Sequence, residues 1–383
     1  MRTGFLFNHD QIHQIAHSLP IALAMADLGH QVVVAASNDA IEAEIARLAG
    51  AEGLARLSVV RLDVRRTTSR LAERMLGSVV PARKLVLYRD NLEFFRSLDV
   101  LVVTERTSLL LKQRYGLASL KIVLADHGAG DRAIGFGASA AAFDHILAAG
   151  AKIRDRFIAE ADVDPANITI TGYAKFDTTG GKRPRLPMQS NGRPTVLYNP
   201  HLSPHLSSWY KMGRAVMDHF AASQRYNLIF APHIMLFQRR VVVTIDRLSI
   251  DRPGQIDPRW LSAPHIHVDT SSPALTDMTY TRAADIYLGD VSSQVYEFLS
   301  EPRPCLFLNA HNTDYLGNRN YAHWQAGPVL NALDDLDARI DHALASHQAT
   351  YRPVQEQLFG YTFDLTEEPS GARAARAIAA LYA

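Results

Sequence analysis

The stretch ADIYLGDVSSQVYEFL, residues 284–299, indicates the fold class of this chain most clearly. Its first part is an apolar, strand-like run that stops at Asp290. From Ser293 onward the apolar residues have the spacing of a helix, so a short polar turn joins a strand to a helix. Strands and helices that alternate in this way form parallel sheets covered by helices.

The same alternation of β-rich runs and helical patterns continues along the whole chain. The predicted strands are 3–8, 30–37, 57–64, 98–105, 120–127, 143–150, 195–201, 227–233, 265–270, 284–290 and 304–310. Several of these runs are largely apolar, as expected of strands that are covered on both faces. We therefore predict an α/β protein with two Rossmann-like, doubly wound parallel-sheet domains that face each other across a cleft.

A segment rich in Gly, Pro and charged residues interrupts the pattern at 179–194, TGGKRPRLPMQSNGRP. It indicates a linker, and a length of 383 residues also favours two domains. The predicted organisation is an N-terminal domain over 1–178, the linker over 179–194, a C-terminal domain over 195–370 and a terminal helix over 371–383 that packs back on the N-terminal domain. We expect the active site in the cleft, at the carboxyl ends of the strands.

The composition is that of a globular protein, with 47% hydrophobic and 21% charged residues. The chain has 40 Lys and Arg residues against 39 Asp and Glu residues, so its overall charge gives no reason to expect a nucleic-acid partner. The single cysteine, Cys305, excludes an intramolecular disulfide and a Cys-rich zinc site, and it suits a reducing compartment. No signal peptide and no apolar run of about 18 residues is recognisable, so we expect a cytoplasmic protein.

Histidines follow three of the predicted strands. His127 is set beside Gly128 and Gly130, which leave room for a substrate to approach the imidazole closely. In the second half, His201 ends the run LYNPH and His233 ends the run LIFAPH. Each histidine alone also fits a structural role, and His127 also fits an exposed side chain in a tight turn. The set of three favours a catalytic or binding role.

The turn in the opening stretch has the residue types of an anion site. Asp290, a candidate nucleotide-binding residue, ends the strand, and Ser292 and Ser293 occupy the N-cap and first-turn positions of the predicted helix. Hydroxyls and free backbone N–H groups at a helix N-terminus bind phosphate, because the unpaired donors and the helix dipole both favour negative charge. The alternative is a serine cap without a ligand. Glu297, one turn further, either accepts hydrogen bonds from ribose hydroxyls or is a solvated helix residue.

A second helix start rich in hydroxyl groups lies at 269–278, DTSSPALTDM. Ser271 and Ser272 are its candidate nucleotide-binding residues. Two such starts close together along the chain favour an anion site over two simple caps.

Three histidines near the N-terminus, His9, His13 and His17, recur every four residues and would share one face of a helix. Imidazoles at that spacing can bind a metal ion, but no acidic or Cys ligand completes the set. The interpretation that we prefer places His9 and Asp10 in the loop after the first strand, lining the cleft. No metal site is predicted.

The segment 61–89 concentrates positive charge in a nearly neutral protein. It carries eight basic residues and two acidic ones, a net charge of +6. Basic residues interleaved with Leu, Met and Val suit an anionic membrane surface or a polyanionic acceptor, and the alternative is a solvated helix face. No aromatic platform accompanies the charges, which argues against nucleic acid.

With these residues identified, the chain resembles the CDP-glycerol glycerophosphotransferase family, the teichoic-acid-polymerase-like enzymes of the GT-B superfamily. The resemblance is strongest over 269–309, where the family has a strand, an Asp-x-Ser-Ser motif, a helix and a Pro before the next strand. Residues 125–130, ADHGAG, resemble the His-Gly element of the family, and 143–177 resembles its segment that ends in Gly-x-x-x-x-Asp. The chain departs from the family pattern at Ile234, where the family has Pro, and at Val291, where it has an aromatic residue.

The resemblance implies a GT-B fold in which the C-terminal domain holds the nucleotide donor and the N-terminal domain is the acceptor side. Ser292 and Ser293 would hold phosphate, Glu297 would lie near the ribose, and His233 would face the pyrophosphate. His127 would be the general base that deprotonates an acceptor hydroxyl. The implied reaction transfers glycerol phosphate, a related polyol phosphate or a sugar from a CDP- or UDP-linked donor to a cell-envelope lipid or polymer, without a cofactor and with an optional divalent cation.

Two other functions are open from the sequence. The first is a UDP-sugar glycosyltransferase or a UDP-N-acetylglucosamine 2-epimerase-like enzyme. An epimerase predicts catalytic carboxylates, for which Asp126, Asp131 and Asp290 are candidates. The second is a non-catalytic nucleotide-sugar-binding scaffold. A lipid acceptor would bring the protein to the inner face of the plasma membrane as a peripheral protein, with residues 61–89 on the anionic lipid.

Overall fold

A computed structural model of the chain describes residues 1–8, 12–64, 80–132, 135–238, 240–244 and 249–382. The chain divides into two compact units. Unit 1 comprises Met1–Gly128, Ile134–Gly180 and Tyr361–Ala383, and unit 2 comprises Ala129–Ala133 and Gly181–Gly360. The short segment Ala129–Ala133 therefore belongs to unit 2, although the residues on both sides of it along the chain belong to unit 1.

Unit 1 is built on a parallel sheet of apolar strands. These strands are β1 (Arg2–Phe7), β2 (Gln31–Ala36), β3 (Ser58–Arg61), β4 (Val100–Val103), β5 (Lys121–Ala125), β6 (His145–Ala148) and β7 (Ile168–Ile170). They pair in the order β3-β2-β1-β4-β5-β6-β7, and every pairing is parallel. The central strands are covered on both faces, which is why their sequences are largely apolar. The sequence had predicted the first six strands and missed β7.

Unit 2 repeats the design with a second parallel sheet. Its strands are β8 (Thr195–Asn199), β9 (Asn227–Phe230), β12 (Ile266–Val268), β13 (Ile286–Gly289), β14 (Cys305–Leu308) and β15 (Val329–Leu330), with a separate antiparallel hairpin of β10 (Val242–Thr244) and β11 (Ser249–Asp251). The sheet order is β12-β9-β8-β13-β14-β15. Counted within its own unit, each sheet contains the order 3-2-1-4-5-6, so the predicted doubly wound α/β class is confirmed.

The α-helices of the described residues lie between these strands and, for the last three, after β15. They are α1 (Leu19–Asp27), α2 (Asp39–Ala55), α3 (Val80–Asp90), α4 (Leu92–Arg96), α5 (Leu110–Gln113), α6 (Ala151–Ala161), α7 (Arg214–Ala222), α8 (Pro258–Ser262), α9 (Thr279–Ala283), α10 (Gln294–Phe298), α11 (Leu336–Ser346), α12 (Arg352–Thr362) and α13 (Ser370–Tyr382). Local signals set several of their ends. Asn38 caps α2 by accepting from the Ile41 N–H (2.9 Å), and Gly29 follows α1 with a φ of +80°.

The terminal helix α13 belongs to unit 1. Its residues Ala374, Ala375 and Ile378 are buried in the same apolar core as the strands of unit 1. Asp177 holds its N-terminus by accepting hydrogen bonds from the Ser370 N–H (3.1 Å) and the Gly371 N–H (2.6 Å). This contact gives the Asp of the Gly-x-x-x-x-Asp segment a structural role, because its carboxylate satisfies free N–H groups of the helix.

The boundaries of the two units lie near those expected from the sequence but do not coincide with them. Unit 2 ends at Gly360, so residues 361–370, which we had assigned to the C-terminal domain, lie in unit 1. The expected linker from Gly181 onward is part of unit 2, because Arg183 donates to the carbonyls of Arg282 (2.7 Å) and Ala284 (2.6 Å).

The described residues contain no helix that is both long and apolar enough to cross a bilayer. Residues 65–79 of the basic segment lie outside the described part of the chain. Two of its described charges are compensated within unit 1. Lys84 is buried in an ion pair with Glu105, and Arg61 pairs with Asp39 (2.7 Å). These two cations are therefore occupied by protein partners and contribute less to a lipid-facing charge than the sequence count implies.

Candidate active site

The carboxyl ends of β8 and β13 lie side by side in unit 2, because these two strands are hydrogen-bonded neighbours. Counted along the chain, they are the first and fourth strands of this sheet, where the strand order reverses. Ligands of doubly wound sheets bind at this reversal point, outside the carboxyl ends of the strands. β8 leads to His201 and β13 leads to the turn 290–293, so two of the predicted groups of site residues are brought together here.

Asp290 is fully buried and links the two strand ends. Its carboxylate accepts hydrogen bonds from the N–H groups of His201 (2.9 Å), Ser208 (2.6 Å) and Val291 (2.6 Å), and from the Ser208 hydroxyl (2.8 Å). Burial raises the pKa of Asp290, and the hydrogen bonds from Ser208 and His201 oppose that rise. Protein donors thus occupy the carboxylate, and we assign Asp290 to holding the loop after β8 in place of the predicted nucleotide contact.

The helix that follows the turn at Asp290 is shorter than predicted. Helix α10 has five residues, so it offers a weaker dipole than the longer helix that the sequence indicated. Ser292 is buried and its hydroxyl accepts from the Gln294 N–H (3.3 Å), which makes Ser292 a local cap. Ser293 is exposed and forms no side-chain cap, so its hydroxyl is the one available to a ligand. Glu297 is only 5% exposed, so the alternative of a solvated helix residue is wrong.

The second hydroxyl-rich helix start is organised by Asp269. The Asp269 carboxylate accepts from the N–H groups of Ser271 (3.0 Å) and Ser272 (2.9 Å) and from the Ser272 hydroxyl. The Ser272 hydroxyl also accepts from the Ala274 N–H (3.2 Å), so Ser272 is a cap and not a free phosphate ligand. Ser271 is exposed. Ser272 therefore has the role of a simple helix cap, which was the alternative to an anion site.

A cationic side chain lies beside two histidines in unit 2. The Arg132 guanidinium Nη1 is 3.0 Å from His201 Nε2, and the rings of His201 and His233 are 5.8 Å apart between centroids. Arg132 is half-buried, and burial lowers the pKa of its guanidinium. Among the described residues, no carboxylate forms an ion pair with Arg132. We call Arg132, His201 and His233 the cationic cluster.

Both histidines of the cationic cluster are neutral. Burial first, and Arg132 second, lower the pKa of His201 well below its usual value and the pKa of His233 to about 4. His201 Nδ1 accepts from the Ser203 N–H (3.0 Å) and Nε2 lies 3.0 Å from Arg132 Nη1, so a positive charge on this ring would lie against the guanidinium. His233 Nδ1 accepts from the Met235 N–H (3.2 Å), so the proton of the neutral ring is on Nε2 and can be donated to an anion.

Replacing His233 with Gln is expected to make the stability of the protein less sensitive to acid. The folded state keeps this ring neutral down to about pH 4, whereas an unfolded chain protonates it below about pH 6.5. The wild type therefore loses stability as the pH falls from 6.5 towards 4, and this group alone accounts for about 1 kcal/mol at pH 5.5. Urea unfolding of both proteins at pH 7.5 and pH 5.5 measures the difference. An identical pH dependence in the two proteins would contradict a neutral buried His233.

In unit 1, His127 has the hydrogen bonds of a general base. Its Nδ1 is 2.7 Å from the Thr104 carbonyl oxygen, so Nδ1 carries the proton and donates it to that carbonyl. The lone pair is then on Nε2, which lies 3.4 Å from the side-chain nitrogen of Gln14. Asp126 precedes His127, and burial raises the pKa of its carboxyl group while His127 and the Gly128 N–H oppose that rise.

The two glycines after His127 differ in their surroundings. A Cβ on Gly128 would find its nearest neighbours, the Asp126 carboxylate oxygens, at 3.9 Å, so the expected open space is present. A Cβ on Gly130 would lie 3.1 Å from the Ser293 Cβ. Gly130 therefore allows one backbone segment of unit 2 to approach another closely, whereas we had predicted that it makes room for substrate.

The remaining predicted residues lie beyond what the structure describes. His9 and Asp10 are outside the described residues, and so is the side chain of His13. Within the described residues, no three His, Cys, Asp or Glu side chains converge as metal ligands. Cys305 is buried at the start of β14, and burial raises the pKa of its thiol, as expected of an inert cysteine.

Sequence reasoning missed Arg132 and His323. Arg132 lies in DRAIGFG directly after the glycine-rich turn, and its position beyond a strand end was the available signal. His323 lies in the helical turn Arg319–Ala326, follows no predicted strand and had no signal of its own. It contacts Asp131, which is 192 residues away in the sequence. Such a pairing exists only in the folded chain.

Comparison with known proteins finds similarity in structure and not in sequence. No protein-family model matches the chain, and no curated protein matches it. A structure assigned as a UDP-N-acetylglucosamine 2-epimerase of Listeria monocytogenes superposes with a TM-score of 0.60 at 15% identity, over 99% of this chain and 95% of that one. MnaA of S. aureus, solved with UDP, has a TM-score of 0.59 at 11% identity, over 99% and 94%.

A variant of the wall teichoic acid polymerase TagF, soaked with CDPG, is also similar, with a TM-score of 0.58 at 12% identity, over 100% of this chain and 87% of that one. Likeness at these identities concerns the arrangement of strands and helices. The three structures agree with the two Rossmann-like parallel sheets found here. The fold of this chain is therefore of the GT-B type.

Proposed function

We propose that this protein is a transferase that moves glycerol phosphate, a related polyol phosphate or a sugar from a nucleotide-diphosphate donor to an acceptor hydroxyl. The observation that carries the proposal is the half-buried Arg132, which lies beside two neutral histidines and has no carboxylate partner among the described residues. Removing a cation from water is unfavourable unless an anion compensates it. An anionic ligand is the natural partner of this group.

The donor diphosphate would bind to the cationic cluster. The Arg132 guanidinium would form charge-assisted hydrogen bonds with phosphate oxygens, and His233 Nε2–H and the exposed Ser293 hydroxyl are further donors. The complexes of MnaA with UDP and of TagF with CDPG are consistent with a nucleotide ligand for this fold. The sequence resemblance to the glycerophosphotransferase family favours a CDP-linked donor among these possibilities.

The general base would be His127. Its Nε2 lone pair would take the proton of the acceptor hydroxyl, whose oxygen then bonds to phosphorus or to the anomeric carbon. The bond between that atom and the nucleotide breaks at the same time, and the nucleotide leaves with the electron pair. Arg132 and His233 would stabilise the charge of the leaving group, and Asp126 would stabilise the imidazolium formed on His127. No cofactor enters this scheme, and a divalent cation is optional.

A proton-abstracting epimerase is supported less well. Of the three carboxylates that an epimerase was predicted to use, Asp290 and Asp131 are buried and already accept several protein hydrogen bonds. A carboxylate occupied in this way is a poor proton acceptor for a substrate. Asp126 is the remaining candidate.

The acceptor that we propose is a cell-envelope lipid or polymer, reached through peripheral contact of residues 61–89 with an anionic membrane.

The proposal predicts that CDP or UDP stabilises the protein against heat and that the corresponding nucleosides do not. A ligand that binds only the folded state raises the melting temperature, and the diphosphate supplies the anion. A thermal-shift screen with CDP, UDP, GDP, CMP, cytidine and uridine tests this and identifies the base. In calorimetry, replacing both Ser292 and Ser293 with Ala should weaken binding of the preferred nucleotide about tenfold. Absence of any nucleotide effect on the wild type would refute the proposed function.

A further inference from the structure

Asp131 is buried in unit 2 within a network that the proposed chemistry does not use. Its two carboxylate oxygens accept the Tyr296 hydroxyl at 2.8 and 2.9 Å, and Oδ2 also accepts the His323 backbone N–H at 2.8 Å. The same oxygen lies 2.8 Å from His323 Nδ1. Asp131 is 2% exposed and His323 is 2% exposed, so water does not compete with these bonds.

His323 connects Asp131 to the turn that follows β13. Its Nε2 lies 3.0 Å from the backbone carbonyl oxygen of Asp290, which the Trp324 indole N–H also contacts at 2.8 Å. The two ring nitrogens of His323 thus face two acceptors, the Asp131 carboxylate and the Asp290 carbonyl. The pair of Asp131 and His323 joins the segment Ala129–Ala133 to the Asp290 turn.

A closed ring of contacts results. Arg132 follows Asp131 directly and its Nη1 lies 3.0 Å from His201 Nε2, and the His201 backbone N–H donates to the Asp290 carboxylate (2.9 Å). The Asp290 carbonyl leads back through His323 to Asp131. The backbone at Asp131 and the backbone at Asp290 are therefore held in place. The Cα of Arg132, from which its long flexible side chain extends, is fixed with them.

We propose that Asp131, Tyr296 and His323 are positioning residues that hold the Arg132 guanidinium against His201 and so set the anion affinity of unit 2. This inference rests on the proposed function for its ligand, a diphosphate. An arginine whose backbone is fixed loses less conformational freedom on binding, so a ligand gains affinity without any new contact. Loosening the network should lower affinity even though none of its three residues touches the ligand.

The test measures binding of inorganic pyrophosphate by calorimetry to wild type, Tyr296→Phe, Asp131→Asn, Arg132→Ala and the double variant Asp131→Asn with Arg132→Ala. We expect Asp131→Asn to weaken pyrophosphate binding about tenfold and Tyr296→Phe to weaken it several-fold. Tyr226→Phe is the matched control, because the Tyr226 hydroxyl also donates to a carboxylate, that of Asp341 (2.5 Å), at the opposite end of the sheet. It should bind like the wild type, and circular dichroism checks that each variant is folded.

The double variant separates positioning from general damage. If Asp131 acts through Arg132, adding Asp131→Asn to Arg132→Ala weakens binding no further. If the affinity losses of the two single variants multiply in the double variant, the inference is overturned. Wild-type affinity in both Asp131→Asn and Tyr296→Phe would overturn it as well.

A readout without ligand distinguishes failure of this inference from failure of the proposed function. Burial and then Arg132 lower the pKa of His201, and the titratable groups His233 and His205 also face it. Displacing Arg132 should raise the pKa of His201, which NMR of labelled histidine rings measures, with His201→Gln for assignment. If the wild type binds no pyrophosphate, the proposed function fails. A raised His201 pKa in Asp131→Asn would then still support the positioning role, and an unchanged one would overturn it.

Discussion

Replacing His127 with Ala is expected to reduce turnover by about 10²–10⁴-fold, the usual contribution of a general base. The loss follows because Nε2, the ring nitrogen that does not bond to the Thr104 carbonyl, would no longer take the proton of the acceptor. The affinity for CDP or UDP should be unchanged, because the cationic cluster is left intact. Turnover is measured as CMP or UDP released from CDP-glycerol or UDP-N-acetylglucosamine in the presence of a cell-envelope lipid extract.

His219→Gln is the control for this experiment. His219 is also half-exposed and hydrogen-bonded, with its Nε2 2.9 Å from Asp337, but it has no proposed role in the reaction. This variant should keep wild-type turnover. Wild-type turnover in His127→Ala would exclude the assigned base. Unchanged function of His127→Ala in cells, together with intact nucleotide binding, would support the non-catalytic scaffold instead.

Replacing Arg132 with Ala is expected to weaken binding of CDP or UDP about 100-fold. A hydrogen bond to a charged group contributes about 1.5–3 kcal/mol, and a factor of ten in affinity corresponds to about 1.4 kcal/mol. The neutral rings of His201 and His233 cannot replace the lost charge, since the pKa of both is lowered by burial. Isothermal titration at pH 7.5 with the nucleoside diphosphate and with the free nucleoside measures both affinities. Only the affinity for the nucleoside diphosphate should fall.

Two variants sharpen the result for Arg132. Arg132→Lys keeps the charge but loses the planar fork of donors, so its affinity should fall between those of the wild type and Arg132→Ala. Arg225→Ala removes an exposed arginine that is already paired with Asp341 (2.9 Å) and should bind like the wild type. An Arg132→Ala protein that binds CDP and UDP normally would show that the anion site lies elsewhere.

Much of the fold was predictable because burial on both faces of a parallel sheet leaves a local mark on the sequence. Strands such as β5 and β13 are largely apolar, whichever strands become their neighbours. The strands that were missed, β7, β10, β11 and β15, have only two or three residues each; β7 and β15 lie at sheet edges, and β10 and β11 form a separate hairpin. A run that short carries too few residues for its periodicity to stand out from a loop.

The candidate site was predictable in its location but not in the roles of its residues. Strand ends indicated the region where these residues lie, since His201, His233 and the turn after Asp290 all follow parallel strands. Whether a polar side chain there faces a ligand or a neighbouring loop depends on donors that come from distant parts of the chain. Asp290 is occupied by Ser208, 82 residues away, and so became a structural residue.

The opening stretch shows the same division. The amino-acid sequence by itself determined that a strand ends at Asp290 and that a polar turn and a helix follow, because these are local consequences of apolar spacing and capping. Only the tertiary structure decided that Asp290 and Ser292 support the turn, that Ser293 stays exposed, and that Arg132 supplies the charge. The physical reason is that hydrogen bonds and desolvation act over a few ångströms, and folding alone sets which residues come within that distance.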